Sequence, residues 1–144
     1  MFLIDTNVVS EARKGHRANR GVVAFLEELA DSDDLVFLAS ITIGELRRGV
    51  ELIRRRGDAD QAEHLEAWLG SVVEQFGERI LPLAADAAQV WGRLRVPNPD
   101  HALDTQIAAI ALVNDLTLAT RNVADFEGLG VRLKNPFLSE QGGA

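Results

Sequence analysis

Apolar residues along this chain follow two patterns: short unbroken runs, and longer stripes at helical spacing. Met1-Phe2-Leu3-Ile4 and Leu35-Val36-Phe37-Leu38-Ala39 are unbroken runs, as expected of strands buried on both faces of a parallel sheet. Ile80-Leu81-Pro82-Leu83 is a third; its proline has no N–H to give a ladder and suits a sheet edge. Thr117-Leu118-Ala119-Thr120 and Val131-Arg132-Leu133 make a fourth and a fifth. Between them lie the stripes. Val8 to Ala12 predicts a short helix, for which Thr6 or Asn7 is the natural cap, and Val22, Phe25, Leu26 and Leu29 mark the face of a second. Arg13 to Arg20 reads as an exposed basic loop. Ile43, Leu46, Val50 and Ile53 form the next stripe, with Gly57 as its C-terminal stop. Ala62, Leu65, Leu69, Val72 and Phe76 predict a longer amphipathic helix, and Ala87, Val90, Trp91 and Leu94 another. After the break at Pro97-Asn98-Pro99-Asp100, Ala102 to Val113 is apolar nearly all round and should be a buried helix.

Strands alternating with helices imply an α/β fold: a three-layer α/β/α sandwich with a mostly parallel five-stranded sheet. A chain of 144 residues fits one domain, expected over residues 1–138, with 139–144 a short flexible tail. No apolar run approaches a membrane span. No basic region precedes a long apolar stretch, and Asp5 interrupts the first candidate, so no signal peptide is expected and a cytoplasmic location follows by default. The absence of cysteine removes disulfides and thiolate metal sites. A net charge of −7 argues against broad, non-specific nucleic-acid binding, unless a cation offsets the acids where a phosphate must approach.

Four acids change the picture. Asp5 ends the first strand, and Glu45 falls in the first turn of the helix after the second. Asp104 stands near the start of the buried helix feeding the fourth strand, and Asp125 follows that strand. A helix leaving a parallel strand starts at the strand's carboxyl edge, and a helix entering the next strand begins at that edge too. All four acids are therefore expected on one side of the sheet, where open α/β folds bind ligands. Gathered anions repel one another and take up protons unless something offsets them, and a hard divalent cation does so. Each acid also has a plainer explanation. Asp5 suits a strand-end turn. Thr42-Ile43-Gly44-Glu45 fits a capping box, Asp104 suits the dipole at a helix start, and Asp125 suits a short turn. Their convergence carries the argument.

Other features reach less far. Arg47, Arg48, Arg54, Arg55 and Arg56 read as a solvated helix face, with a contact surface for phosphate or an acidic partner as the alternative. Trp68 and Trp91 join apolar stripes as core residues. His16, His64 and His101 are scattered.

Taken in order, Phe2-Leu3-Ile4-Asp5-Thr6-Asn7, Ser40-Ile41-Thr42-Ile43-Gly44-Glu45-Leu46, Asp104-Thr105-Gln106-Ile107-Ala108-Ala109 and Thr120-Arg121-Asn122-Val123-Ala124-Asp125-Phe126 resemble the motifs of PIN-domain proteins of the VapC type, the toxins of bacterial toxin–antitoxin pairs. The resemblance spans Met1 to about Phe137. It implies an endoribonuclease dependent on Mg²⁺ or Mn²⁺ that leaves a 5′-phosphate and a 3′-hydroxyl. It also implies a homodimer and a small VapB-type antitoxin whose tail blocks the acidic groove. By position, Asp5 and Asp104 would be the main metal ligands, Glu45 would orient water, and Asp125, the most variable acid, would act through water. Asn7, Thr120 and Asn122 would support the carboxylates. Asp100 supplies a further acid before the helix, but Ile107-Ala108-Ala109 after Asp104 fixes the register.

Two other classes compete. A receiver-like signalling domain also places acids at this edge, but expects an acid pair near the first strand and a late lysine, where this chain has Asn7 and Thr120-Arg121-Asn122. A dehalogenase-type phosphatase wants an aspartate where Asn7 stands, and a metal-independent ribonuclease wants paired histidines. A catalytically idle binding domain would not need the acidic set intact.

Overall fold

The structure, a computed structural model, describes residues 1–138, so the expected tail at 139–144 lies outside the described residues. Five strands, β1 (Phe2–Ile4), β2 (Val36–Ala39), β3 (Ile80–Leu81), β4 (Thr117–Ala119) and β5 (Leu133–Lys134), form one sheet in the order β3-β2-β1-β4-β5. Every neighbouring pair is parallel, so the expectation of a mostly parallel sheet sharpens to a wholly parallel one. The strand that runs into Pro82, β3, is at the edge. The order reverses between β1 and β4, and that crevice is where ligands of open parallel sheets bind.

Among the described residues seven α-helices cover the faces: α1 (Thr6–Ala12), α2 (Arg20–Asp31), α3 (Ser40–Arg55), α4 (Ala59–Phe76), α5 (Ala85–Arg95), α6 (Ala102–Val113) and α7 (Val123–Phe126). The pleat divides them into two layers, because successive strand side chains point to opposite faces. Ile4, Leu38 and Ala119 face one core with α1 to α4; Leu3, Ala39 and Leu118 face the other with α5, α6 and α7. No helix among the described residues is long and apolar enough to cross a membrane.

Several local expectations are corrected. Arg13–Arg20 is not one exposed loop: Gly15–Arg17 forms a 3-10 turn, Ala18 is buried, and Asn19 caps α2 by accepting a hydrogen bond from Gly21 N–H at 2.9 Å. The fifth strand is shifted to Leu133–Lys134, and β3 stops at Leu81, before the proline. Trp68 and Trp91 are half-buried rather than core, with the guanidinium of Arg13 6.0 Å from the Trp68 ring centroid and that of Arg95 5.7 Å from Trp91's. The Trp91 indole N–H donates to Ala102 O at 3.2 Å, tying α5 to the first residue of α6. Gly57 stops α3 as expected: it sits at φ +98, its N–H donates to Arg54 O, and the Asp58 N–H donates to Ile53 O.

The arginines of α3 are not all free in solvent. Arg47 and Arg54 both pair with Glu51 of their own helix and with Glu66 of α4. These exposed pairs fix the relative register of α3 and α4 more than they add stability.

Candidate active site

β1 delivers Asp5 to the crevice. Its N–H donates to Ala119 O at 2.9 Å, which continues the β1–β4 pairing by one residue and fixes where the carboxylate emerges. Asp5 itself, not Thr6 or Asn7, caps α1: Oδ1 accepts from Thr6 N–H at 2.8 Å. Oδ2 accepts from the Thr120 hydroxyl at 2.7 Å and from Asn7 Nδ2 at 3.2 Å. Asp5 is only 5% exposed. Burial drives its carboxyl above the ordinary range, the Thr120, Thr6 and Asn7 hydrogen bonds pull it back, and the charge of Asp125 pushes it up again. The net direction is upward.

Thr120 is fully buried, and its oxygen also accepts from Asn122 N–H at 3.0 Å. Asn7 bridges the two strands a second time, since its Oδ1 accepts from Arg121 N–H at 3.0 Å. Asn7 and Thr120 thus touch Asp5 directly, whereas Asn122 contributes its backbone N–H to Thr120.

Glu45 corrects its plainer explanation. Helix α3 starts at Ser40, capped by Ala39 with no side-chain bond, so Thr42-Ile43-Gly44-Glu45 is not a capping box and Glu45 lies in the second turn. Thr42 is wholly buried, with its hydroxyl 3.5 Å from that of Thr6. The Thr6 hydroxyl donates to Glu45 Oε1 at 2.9 Å, joining the acid of α3 to the start of α1. Burial raises the Glu45 carboxyl, Thr6 lowers it, and Asp5 raises it further; the outcome is upward.

Asp104 stands in the first turn of α6, at the point where that buried helix meets the edge. Its cap residue, His101, adopts the left-handed conformation at φ +60 and places Nδ1 3.7 Å from the Asp104 carboxylate. Burial raises the Asp104 carboxyl most, followed by the charges of Asp5 and Asp125; His101 opposes them and Glu45 adds to them. Asp125 lies on α7, exposed. The charges of Asp5, Asp125 and Glu45 thus all act on Asp104, and Asp5 also bears on Glu45 and feels Asp125.

They do not form a closed cage. Among the described residues no three Asp, Glu or His side chains stand close enough to enclose an ion by themselves. The donor chemistry still fits Mg²⁺ or Mn²⁺, because all donors are hard oxygens and Mg²⁺ takes one or two carboxylates while keeping several waters. Burial is the largest cause of the three raised carboxyls, and the charge of a neighbouring acid adds to each. A cavity of about 600 Å³ between α1, α2 and α4 is lined by none of these acids.

Residues 2–129 match the model of the PIN domain family. The chain is a PIN-domain protein. Like this PIN domain, Toxin FitB of Neisseria gonorrhoeae is built on a chain of this size: they are 37% identical over 142 residues, covering 95% of this chain and 99% of FitB. VapC ribonuclease Y4jK of Sinorhizobium fredii is 30% identical, covering 95% of this chain and 98% of its own. The PIN domain also superposes on the crystal structure of FitAcB from N. gonorrhoeae with a TM-score of 0.81 at 35% identity, covering 94% of this chain and 98% of that one. VapBC2 from Rickettsia felis shares the fold, with a TM-score of 0.69 at 22% identity, covering 93% of this chain and 97% of that one.

Reasoning from the sequence missed the second role of Thr6, the hydroxyl that holds Glu45. It missed Thr42 for the same reason. A threonine at a helix start signals a cap, and nothing local distinguishes a cap from a bond to a residue 39 positions away.

Proposed function

We propose that this PIN domain is a divalent-cation-dependent endoribonuclease and the toxin of a VapBC-type toxin–antitoxin module. What supports this most is Asp5 at the point where the strand order reverses, with the charges of Asp5, Glu45 and Asp125 all acting on Asp104. The relatives support it, since one is named a toxin and another a ribonuclease.

Asp5 and Asp104 would hold Mg²⁺, or Mn²⁺, with Asp125 acting through water. Bound there, the cation supplies Lewis-acid polarisation of a phosphodiester and offsets the gathered negative charge. The chain's own residues do the rest. Thr120 and Asn7 hold Asp5 Oδ2 in place, so the carboxylate need not reorganise when substrate arrives. Glu45, held by Thr6, accepts a proton from the attacking water; its raised carboxyl brings its basicity nearer the working pH. Cleavage leaves a 5′-phosphate and a 3′-hydroxyl. A VapB-type antitoxin is the cognate partner, and the active form is a homodimer.

The test is incubation of purified protein with total bacterial RNA. Cleavage should require Mg²⁺ or Mn²⁺, stop with EDTA, and yield ends that ligate as 5′-phosphates. Asp104→Asn should abolish it with the circular dichroism spectrum unchanged. EDTA-resistant cleavage, or near-normal cutting by Asp104→Asn, overturns the assignment.

A further inference from the structure

An acidic sheet edge on a chain of net charge −7 needs a fixed cation if a polyanion is to approach it in register. We propose that Arg121 binds a backbone phosphate of the RNA beside the scissile bond, and that Phe137 is the positioning residue that holds Arg121 ready. This rests on the nuclease reading above.

Arg121 lies between Thr120, whose hydroxyl holds Asp5, and Asn122. Its backbone N–H is fixed to Asn7 Oδ1, so its Cα belongs to the same rigid network as the carboxylates. The residue is exposed. Its charge is felt by Glu11 of α1, whose carboxyl it helps to lower. Among the described residues Arg121 forms no ion pair. Instead it stands 4.9 Å from the centroid of the Phe137 ring. Stacking on an aromatic face leaves the edge of the guanidinium, with its fork of N–H donors, free for the two oxygens of a phosphate.

Phe137 is itself held. It packs, partly buried, against the core beneath α1 to α4. On its C-terminal side Asn19 clasps the backbone of Leu138, with Nδ2 donating to Leu138 O at 2.8 Å and Oδ1 accepting from Leu138 N–H at 3.0 Å. On its N-terminal side Pro136 O passes so near Gly21 that a Cβ there would lie 2.3 Å from it. Two independent features, the Asn19 clasp and the bare Gly21 backbone, therefore place the Phe137 ring under Arg121.

The experiment measures binding of a fluorescein-labelled, mixed-sequence single-stranded RNA to Asp104→Asn protein in Mg²⁺, over a series of KCl concentrations. Adding Arg121→Ala should weaken binding roughly tenfold. It should also lower the magnitude of the log Kd against log salt slope by about 0.7, the value for one phosphate on a single strand. Arg121→Lys should restore the slope without restoring full affinity. Arg132→Ala, which removes the same charge beside Asp115 at the opposite edge of the sheet, should leave the slope unchanged. Phe137→Leu should weaken binding severalfold with the slope retained, and in the cleaving protein should raise KM more than it lowers kcat. An Arg121→Ala slope and Kd equal to the parent's overturn the proposal, and if wild-type protein still cuts RNA the nuclease reading survives. Phe137→Leu behaving as the parent overturns the positioning role. Wild-type protein that neither binds nor cuts RNA ends both readings.

Discussion

Asp5 does two jobs with one carboxylate. Oδ1 caps α1, as a plain strand-end residue would, while Oδ2 is held by Thr120 and Asn7 at the crevice. The cap occupies one oxygen and leaves the other at the crevice, which is why sequence alone left both explanations open. The Thr120 hydroxyl is the strongest influence pulling the raised Asp5 carboxyl down. Thr120→Val keeps the shape and deletes that bond, so at neutral pH it should destabilise the fold by about 1–3 kcal/mol. It should also weaken Mg²⁺ affinity on the order of 10–100-fold, the usual cost of losing a group that orients a ligand. Calorimetric melting with and without Mg²⁺ measures both; a variant matching wild type in each would show that the 2.7 Å bond contributes nothing.

At the scale of elements, long periodic segments were legible and short ones were not. Helix α6 was readable because Thr105, Ile107, Ala108, Ala109, Ile110 and Ala111 are all buried, a pattern that no other environment satisfies. Strand β5 was misplaced because two residues on an edge are defined by the partner they pair with, here Leu118 and Ala119, and not by a pattern of their own. The start of α3 was misjudged because a capping box and a buried threonine pair look alike in sequence. Glycines give a sharp test at this scale. Gly21→Ala forces a Cβ against Pro136 O and Leu138, displacing the segment that carries Phe137, and should cost about 1–3 kcal/mol. Gly70→Ala, inside α4 with nothing within 4 Å, should instead stabilise by about 0.5–1 kcal/mol. In a chain of this size the two should move the melting temperature in opposite directions by a few degrees each. Equal shifts would show that the close approach at Gly21 is not real.

For the whole molecule the raised carboxyls make stability depend on pH and metal. Asp5, Glu45 and Asp104 hold protons in the folded state more tightly than in the unfolded chain. Their contribution is fully present below the ordinary carboxylate values near pH 4 and is lost as pH rises through the raised ones. Glu11 has the opposite sign: Asn19 N–H and Lys14 lower its carboxyl, so its contribution is present at neutral pH and lost on acidification. The difference between wild type and Asp104→Asn separates the two. Without metal the variant should melt above wild type at pH 7 by a few degrees, and the gap should close toward pH 4. Added Mg²⁺ should raise the wild-type melting temperature at pH 7 and leave the variant nearly unmoved. A gap that widens on acidification would contradict the assigned direction, and a variant that gains as much as wild type would remove Asp104 from the metal's surroundings.

The amino-acid pattern by itself determined the alternation of strands and helices, the edge position of the strand before Pro82, and the edge of the sheet to which each acid belongs. These follow from periodicity and from the antiparallel run of helices against strands, which are local or nearly local rules. Only the tertiary structure decided that β4 pairs with β1, that Thr120 therefore meets Asp5 across 115 positions of chain, and that Thr6 reaches Glu45 instead of a backbone N–H. Contacts of that kind depend on which strands become neighbours and on the angle at which helices leave them. The spacing of residues along a chain carries neither.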